Sequence, residues 1–197
     1  MADEFFDVVN ERDEPVGRAR RSEVHAKGWR HRAVHVLVFD QHGRVFVQKR
    51  SMKKDCSPGL WDSSCSGHLD AGEDYDAAAV RELEEELGMK VSAPPKRWFR
   101  IEACEETGQE FCWIYWLRAN GPFVLHPEEI DGGDWLTPDE LTARVAARPG
   151  DYCTSFRLIW ERARREGMPA QPQPAPTAVS HHPLAALRRV TASRGVA

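Results

Sequence analysis

No stretch of the 197 residues is apolar for long enough to cross a bilayer, which takes about 20 consecutive apolar residues. The opening MADEFFDVVNERDE is acidic and has no apolar core of the kind a secretory signal needs. No two cysteines stand in a CxxC pair, and their number is odd: Cys56, Cys65, Cys104, Cys112 and Cys153. That disfavours a disulfide framework and suits free thiols in a reducing compartment. The chain is therefore expected to be cytoplasmic, with no membrane partner. An excess of basic charge is also missing. Lys and Arg number 27 against 31 Asp and Glu, a net charge of −4. Three of the 27 lie in residues 168–197, so residues 1–167 carry 24 basic against 31 acidic groups, or −7. A nucleic-acid polymer is not an expected partner for such a surface. An anionic small molecule remains open, since a local basic patch suffices for it. There is no internal repeat. Residues 168–197 are rich in Pro, Ala and Gln and poor in apolar side chains, so the segment reads as a disordered tail behind one domain, 1–167. Composition leaves monomer or homodimer open.

The stretch that carries chemistry is GHLDAGEDYDAAAVRELEEELGM, from Gly67 to Met89. Asp74 can cap a helix that three alanines favour and that Gly88 can end in the left-handed conformation. At helical spacing Glu82, Glu85 and Glu86 share one face, while Val80, Leu83 and Leu87 form an apolar stripe opposite. Three converging carboxylates repel one another unless a divalent cation sits among them. Hard oxygen ligands suit Mg²⁺ or Mn²⁺.

The rest reads as strands and helices in α+β order. Strands are expected over 5–10, 16–19, 32–39, 44–50, 60–66, 98–104, 110–117 and 134–136, and one starting at 90–92. Residues 32–39 are apolar on both faces, as in a central strand. Ser22 is a candidate cap for a short helix that holds His25. Thr137-Pro138-Asp139-Glu140 is a capping box with proline at the first helical position, opening a helix to about Ala147. Residues 152–166 carry Phe156, Ile159, Trp160 and Ala163 at helical spacing, a core stripe. Gly132-Gly133 reads as punctuation before the last strand.

Gly67, Glu73, Arg81, Glu82, Glu85, Glu86 and Gly88, with Leu83 and Met89 in the aliphatic places, resemble the Nudix box, G-x5-E-x7-R-E-U-x-E-E-x-G-U. The resemblance implies a sandwich of helices around a mixed sheet. It also implies metal ligands at Glu82, Glu85 and Glu86, helped by the Gly67 carbonyl, with Arg81 holding Glu73 or Glu85. A wider set of segments is similar to the branch that includes isopentenyl diphosphate isomerase: NERDEPVG, EVHAKGWRHRAVHV, KDCSPGLW, SGHLDAGE and EIDGGDWLTPDEL. That similarity places a second metal site at His25, His31, His68 and Glu110, with Gly108 where a fifth ligand belongs. It places diphosphate-holding cations at Arg50 and Lys54. The proton-donating cysteine of the isomerases falls on Ser66, whose hydroxyl is a poor donor to carbon. Cys65 is one residue off and should face the other way.

The expectation is a Mg²⁺- or Mn²⁺-dependent hydrolase of a diphosphate linkage, in a nucleoside di- or triphosphate or another linked diphosphate. Glu86 or Glu110 is its base. An isomerase and a non-catalytic ligand-binding domain are the alternatives. His35, His42 and His126 read as ordinary structural or surface histidines.

Overall fold

A computed structural model describes residues 4–169. The first strand pair stands apart as a small sheet, β1 (Phe5–Val9) and β2 (Pro15–Arg20), antiparallel. Helix α1 (Arg21–Lys27) follows directly, ended by Gly28 at φ 59°. Its cap position is Arg20, with no side-chain cap, so Ser22 does not play the expected role: it lies inside the helix.

The large sheet is mixed. Strand β3 (His31–Phe39) pairs in parallel with β8 (Glu110–Arg118) and antiparallel with β4 (Val45–Arg50) and β6 (Cys65–His68). Beyond them lie β5 (Trp61–Asp62) and β9 (Ile130–Leu136) on β4, and β7 (Lys96–Ile101) on β8. Val34, Val36 and Val38 point to helix α2 (Tyr75–Leu87), packing with Ala78, Leu83 and Leu87. Ala33, Leu37 and Phe39 point the other way, to helices α3 (Pro138–Ala147) and α4 (Thr154–Glu166), where Leu141, Phe156, Ile159 and Trp160 are buried. The helix–sheet–helix sandwich expected from sequence is the one found.

Several boundaries differ. The expected strand 60–66 is two pieces, because Ser63 and Ser64 leave the ladder. The Ser64 hydroxyl bonds to the Phe46 carbonyl and accepts from Val38 N. Residues 90–92 form no strand; β7 begins at Lys96, past Pro94-Pro95, and ends at Ile101 rather than 104. Gly132 and Gly133 lie inside β9. The Phe46 ring occupies the space a Cβ on Gly133 would need, so the glycine serves packing rather than a turn. On α2, Val80 is only half-buried and Ala78 and Ala79 take its place in the core. The capping box of α3 is present in both directions. Most of 168–197, read as a disordered tail, lies outside the described residues. Met168 lies within them and packs on the α3/α4 core. Among the described residues no helix is long and apolar enough to cross a membrane.

Candidate active site

The Asp74 carboxylate caps α2 by accepting from Asp76 N and Ala77 N, and Gly88 closes it at φ 63°. This fixes which residues of α2 reach past the short strand β6. Glu82 and Glu86 do so and are buried, 8% and 2% exposed. Glu85 stays at the surface, so the three carboxylates share a face but not an environment. The Glu86 Oε2 accepts from Gln48 Nε2 at 3.1 Å and from Ser66 N at 3.0 Å. The Glu82 carboxyl lies against the Cα of Gly67, where any Cβ would collide with it. Arg81 bonds to Glu73, to Glu82 at 2.7 Å and to Glu85 at 3.0 Å. It holds the carboxylates in place, to both of the expected partners. Burial pushes the carboxyls of Glu82 and Glu86 upward; for Glu82 the neighbouring Glu86 charge adds to the effect. In this buried place the pair holds negative charge at a cost.

Both glutamates open on a cavity of about 900 Å³. Its opposite wall is built by register. The parallel β3/β8 pairing sets His31 beside Glu110, and the β3/β6 pairing sets His68 beside Ala33. Helix α1 brings His25 over them, so the three imidazoles lie 5.0–5.1 Å apart, centroid to centroid. His68 Nε2 is 3.0 Å from Glu110 Oε1. His31 Nδ1 lies 2.9 Å from the Trp29 carbonyl, which fixes Nδ1 as the donor; its Nε2 is buried with no hydrogen-bond partner. Phe6 stacks on His31 and His68 from below. Burial lowers His25 to about 4, helped by the two neighbouring histidines. Burial works against the charge on Glu110, but the nearby imidazoles, His31 with Nε2 3.6 Å away and His68 hydrogen-bonded to it, outweigh it and hold the carboxyl well below its usual range. One ligand atom from each of His25, His31, His68 and Glu110 lies within 4.8 Å of the others, so the structure brings all four together.

Arg50 and Lys54 both reach the cavity, each with an acidic partner. Arg50 donates to Asp62 at 3.2 Å and to the Cys56 carbonyl at 3.0 Å; Lys54 pairs with Glu129. Ser66 lines the cavity, whereas Cys65, fully buried, packs under α2 on the opposite face of β6. The loop 121–129 walls the far side. Val124 N donates to the Leu87 carbonyl and His126 N to the Glu86 carbonyl, and Phe123 and Leu125 pack on the core under α2, so the loop is tied to the end of α2. The first turn of α4, with Thr154 and Ser155, also faces the cavity.

The family described as NUDIX domain matches residues 29–157. The chain belongs to the Nudix family. Relatives include the Nudix hydrolase YfcD of Escherichia coli K12, 36% identical over 81% of this chain and 88% of that protein. Another is a Nudix hydrolase of Deinococcus radiodurans, 35% identical over 75% of this chain and 86% of its own. The crystal structure of DR0079 from the same organism superposes with a TM-score of 0.71 at 32% identity, covering 82% of this chain and 98% of that one. The protein is thus a Nudix hydrolase, of a family that acts on small molecules and generally uses divalent ions.

Three residues of this Nudix site went unread in sequence, Gln48, Asp62 and Glu129, and His35, read there as an ordinary histidine, also lines the cavity. Gln48 carried a signal. In the alternation of β4 it follows Phe46 on the face turned to α2, where an amide needs a partner. Asp62 and Glu129 matter only through pairing across loops, which spacing does not encode.

Proposed function

We propose that this Nudix protein hydrolyses a diphosphate linkage with Mg²⁺ or Mn²⁺ held by Glu82, Glu85 and Glu86 and the Gly67 carbonyl. The observation that carries the reading is the buried Glu82/Glu86 pair, packed against a glycine and open to a cavity lined by Arg50 and Lys54. An ion held by the glutamates and the Gly67 carbonyl would supply positive charge to offset the negative charge that develops on the phosphate in the transition state. The chain supplies the rest. Gln48 and the Ser66 amide orient Glu86. Lys54 exchanges Glu129 for a phosphate oxygen, and Arg50, braced by Asp62, meets a second one. The α4 N-terminus adds a favourable field for the anion. Glu86 or Glu110 takes the proton from the attacking water. His25, His31, His68 and Glu110 hold a second cation; the bare Nε2 of His31 fits that role, with Nδ1 fixed by a carbonyl in the manner of metal-binding histidines. The substrate class is a nucleoside di- or triphosphate or another linked diphosphate.

A panel of such diphosphates, assayed with Mg²⁺ and with Mn²⁺ for released phosphate, pyrophosphate or monophosphate, tests this. Turnover of at least one member is expected. Tight binding of a member without turnover would point to a ligand-binding domain instead. The isomerase alternative is disfavoured because Ser66 stands where the isomerases place their proton-donating thiol and Cys65 faces away. Isopentenyl diphosphate incubated with the enzyme in D₂O should give no deuterated dimethylallyl diphosphate. Deuterium in that product would mean a proton donor other than Ser66.

A thermal prediction follows from the raised carboxyls. Groups whose folded value exceeds the unfolded one stabilise below the unfolded value and lose that contribution as pH rises through the folded one. For Glu82 and Glu86 the loss spans mildly acidic to neutral pH. Mg²⁺, which selects oxygen ligands, should therefore raise the melting temperature by several degrees more at pH 8 than at pH 5.5. Equal shifts at both values would remove the buried pair from the ion's ligand set.

A further inference from the structure

The wall that carries Glu110 continues past the three histidines. On β8, Glu110 and Cys112 are two residues apart and share a face. On β3, His31, Ala33 and His35 share the adjoining face, since His31 sits beside Glu110 and Ala33 beside Cys112. The methyl group of Ala33 is the only side chain between the two histidines on that strand face, and it leaves room there. His35 is 4% exposed and lines the cavity; its Nδ1 is 2.8 Å from the Ser63 hydroxyl, with Asp62 Oδ1 at 3.8 Å. Cys112 Sγ lies 3.7 Å from Glu110 Oε2. Glu110 thus turns Oε1 to His31 and His68 and Oε2 to Cys112. One ligand atom each of His35, Glu110 and Cys112 lies within 4.8 Å of the other two.

We propose that His35, Glu110 and Cys112 bind a thiophilic divalent cation, Zn²⁺ or Fe²⁺, with Glu110 bridging it to the three-histidine group. Imidazole, carboxylate and thiolate together match those ions and not Mg²⁺. The partner for His35 Nδ1 is the Ser63 hydroxyl, backed by the Asp62 carboxylate, so the imidazole is held in orientation as metal-bound histidines are. A tetrahedral ion at about 2.0–2.3 Å from each ligand sets the ligand atoms about 3–4 Å apart, and Cys112 Sγ and Glu110 Oε2 already stand 3.7 Å apart. Binding displaces the thiol proton of Cys112 to solvent, and the thiolate charge offsets the cation in a buried place. The site does not depend on the hydrolase reading.

Cobalt(II) is the probe, because cobalt bound to a thiolate gives an intense near-ultraviolet charge-transfer band that oxygen and imidazole sites lack. The full chain titrated with Co²⁺ in the presence of excess Mg²⁺ should show that band. Cys112→Ser should abolish it, and Cys56→Ser, at the exposed thiol near His25 and Asp55, should leave it unchanged. His35→Gln keeps the thiol and should weaken the titration at least tenfold, which covers the case of a misfolded Cys112→Ser. No band in the wild-type chain, or a band that survives Cys112→Ser, overturns the proposal.

Discussion

Glu86→Gln should lower turnover by on the order of 10²–10⁴-fold, the equivalent of about 3–5 kcal/mol of transition-state stabilisation, while the metal-free melting temperature stays level or rises. The two halves have one cause. Glu86 Oε2 accepts from Gln48 and from the Ser66 amide, and a glutamine oxygen can accept both. The fold therefore keeps its hydrogen bonds. What disappears is a buried negative charge beside Glu82, which costs stability without an ion and gives affinity with one. Steady-state assays at saturating Mg²⁺, with thermal melts in EDTA, read both. Near-wild-type turnover would remove Glu86 from the reaction, and a collapsed melting temperature would make it a structural residue.

Gly67→Ala should be about as damaging, by displacement rather than by charge. The backbone of Gly67 is ordinary strand, in register with Val34, so alanine meets no backbone strain. The added methyl falls within the Glu82 carboxyl. Glu82 must swing away, taking with it one buried ligand and its 2.7 Å bond to Arg81. The expected result is at least a hundredfold weaker Mg²⁺ activation, with a loss of about 1–3 kcal/mol in stability, the usual cost of overpacking. Pairing Gly67→Ala with Glu82→Ala separates the causes. If the collision is the whole effect, the double variant melts no lower than Glu82→Ala alone.

Much of this was legible before any coordinates. The α2 helix, its two caps and its three-carboxylate face follow from local spacing, as do the α3 capping box and the apolar stripe of α4. The histidine cluster was legible only through resemblance, because its four members come from α1, β3, β6 and β8, and strand register together with the placement of α1 brings them together. Two kinds of feature escaped. The break of 60–66 into two strands depends on the Ser64 hydroxyl bonding to the backbone of β4, a choice that no propensity encodes. The unequal burial of Glu82, Glu85 and Glu86 depends on how α2 tilts over β6, so equal spacing on the helix does not mean equal electrostatics. Gly132 and Gly133 misled for the same reason: a glycine that makes space for Phe46 looks, in sequence, like one that makes a turn.

The attachment of loop 121–129 to the end of α2 bears on how such a catalyst can diversify. Its two anchors, Val124 N to the Leu87 carbonyl and His126 N to the Glu86 carbonyl, are main-chain bonds, indifferent to which side chains stand at those positions. Glu128 and Glu129, on the same loop, line the cavity, with their carboxylates paired to Lys53 and Lys54. Exchanges at 128 and 129 can therefore change this wall of the cavity while the main-chain bonds to α2 stay. Insertions are another matter: added length between 124 and 126 would pull on the carbonyl of Glu86 itself. Lineages built on this frame are free to explore new substrates by exchanging residues there, and are held back from doing so by changing its length.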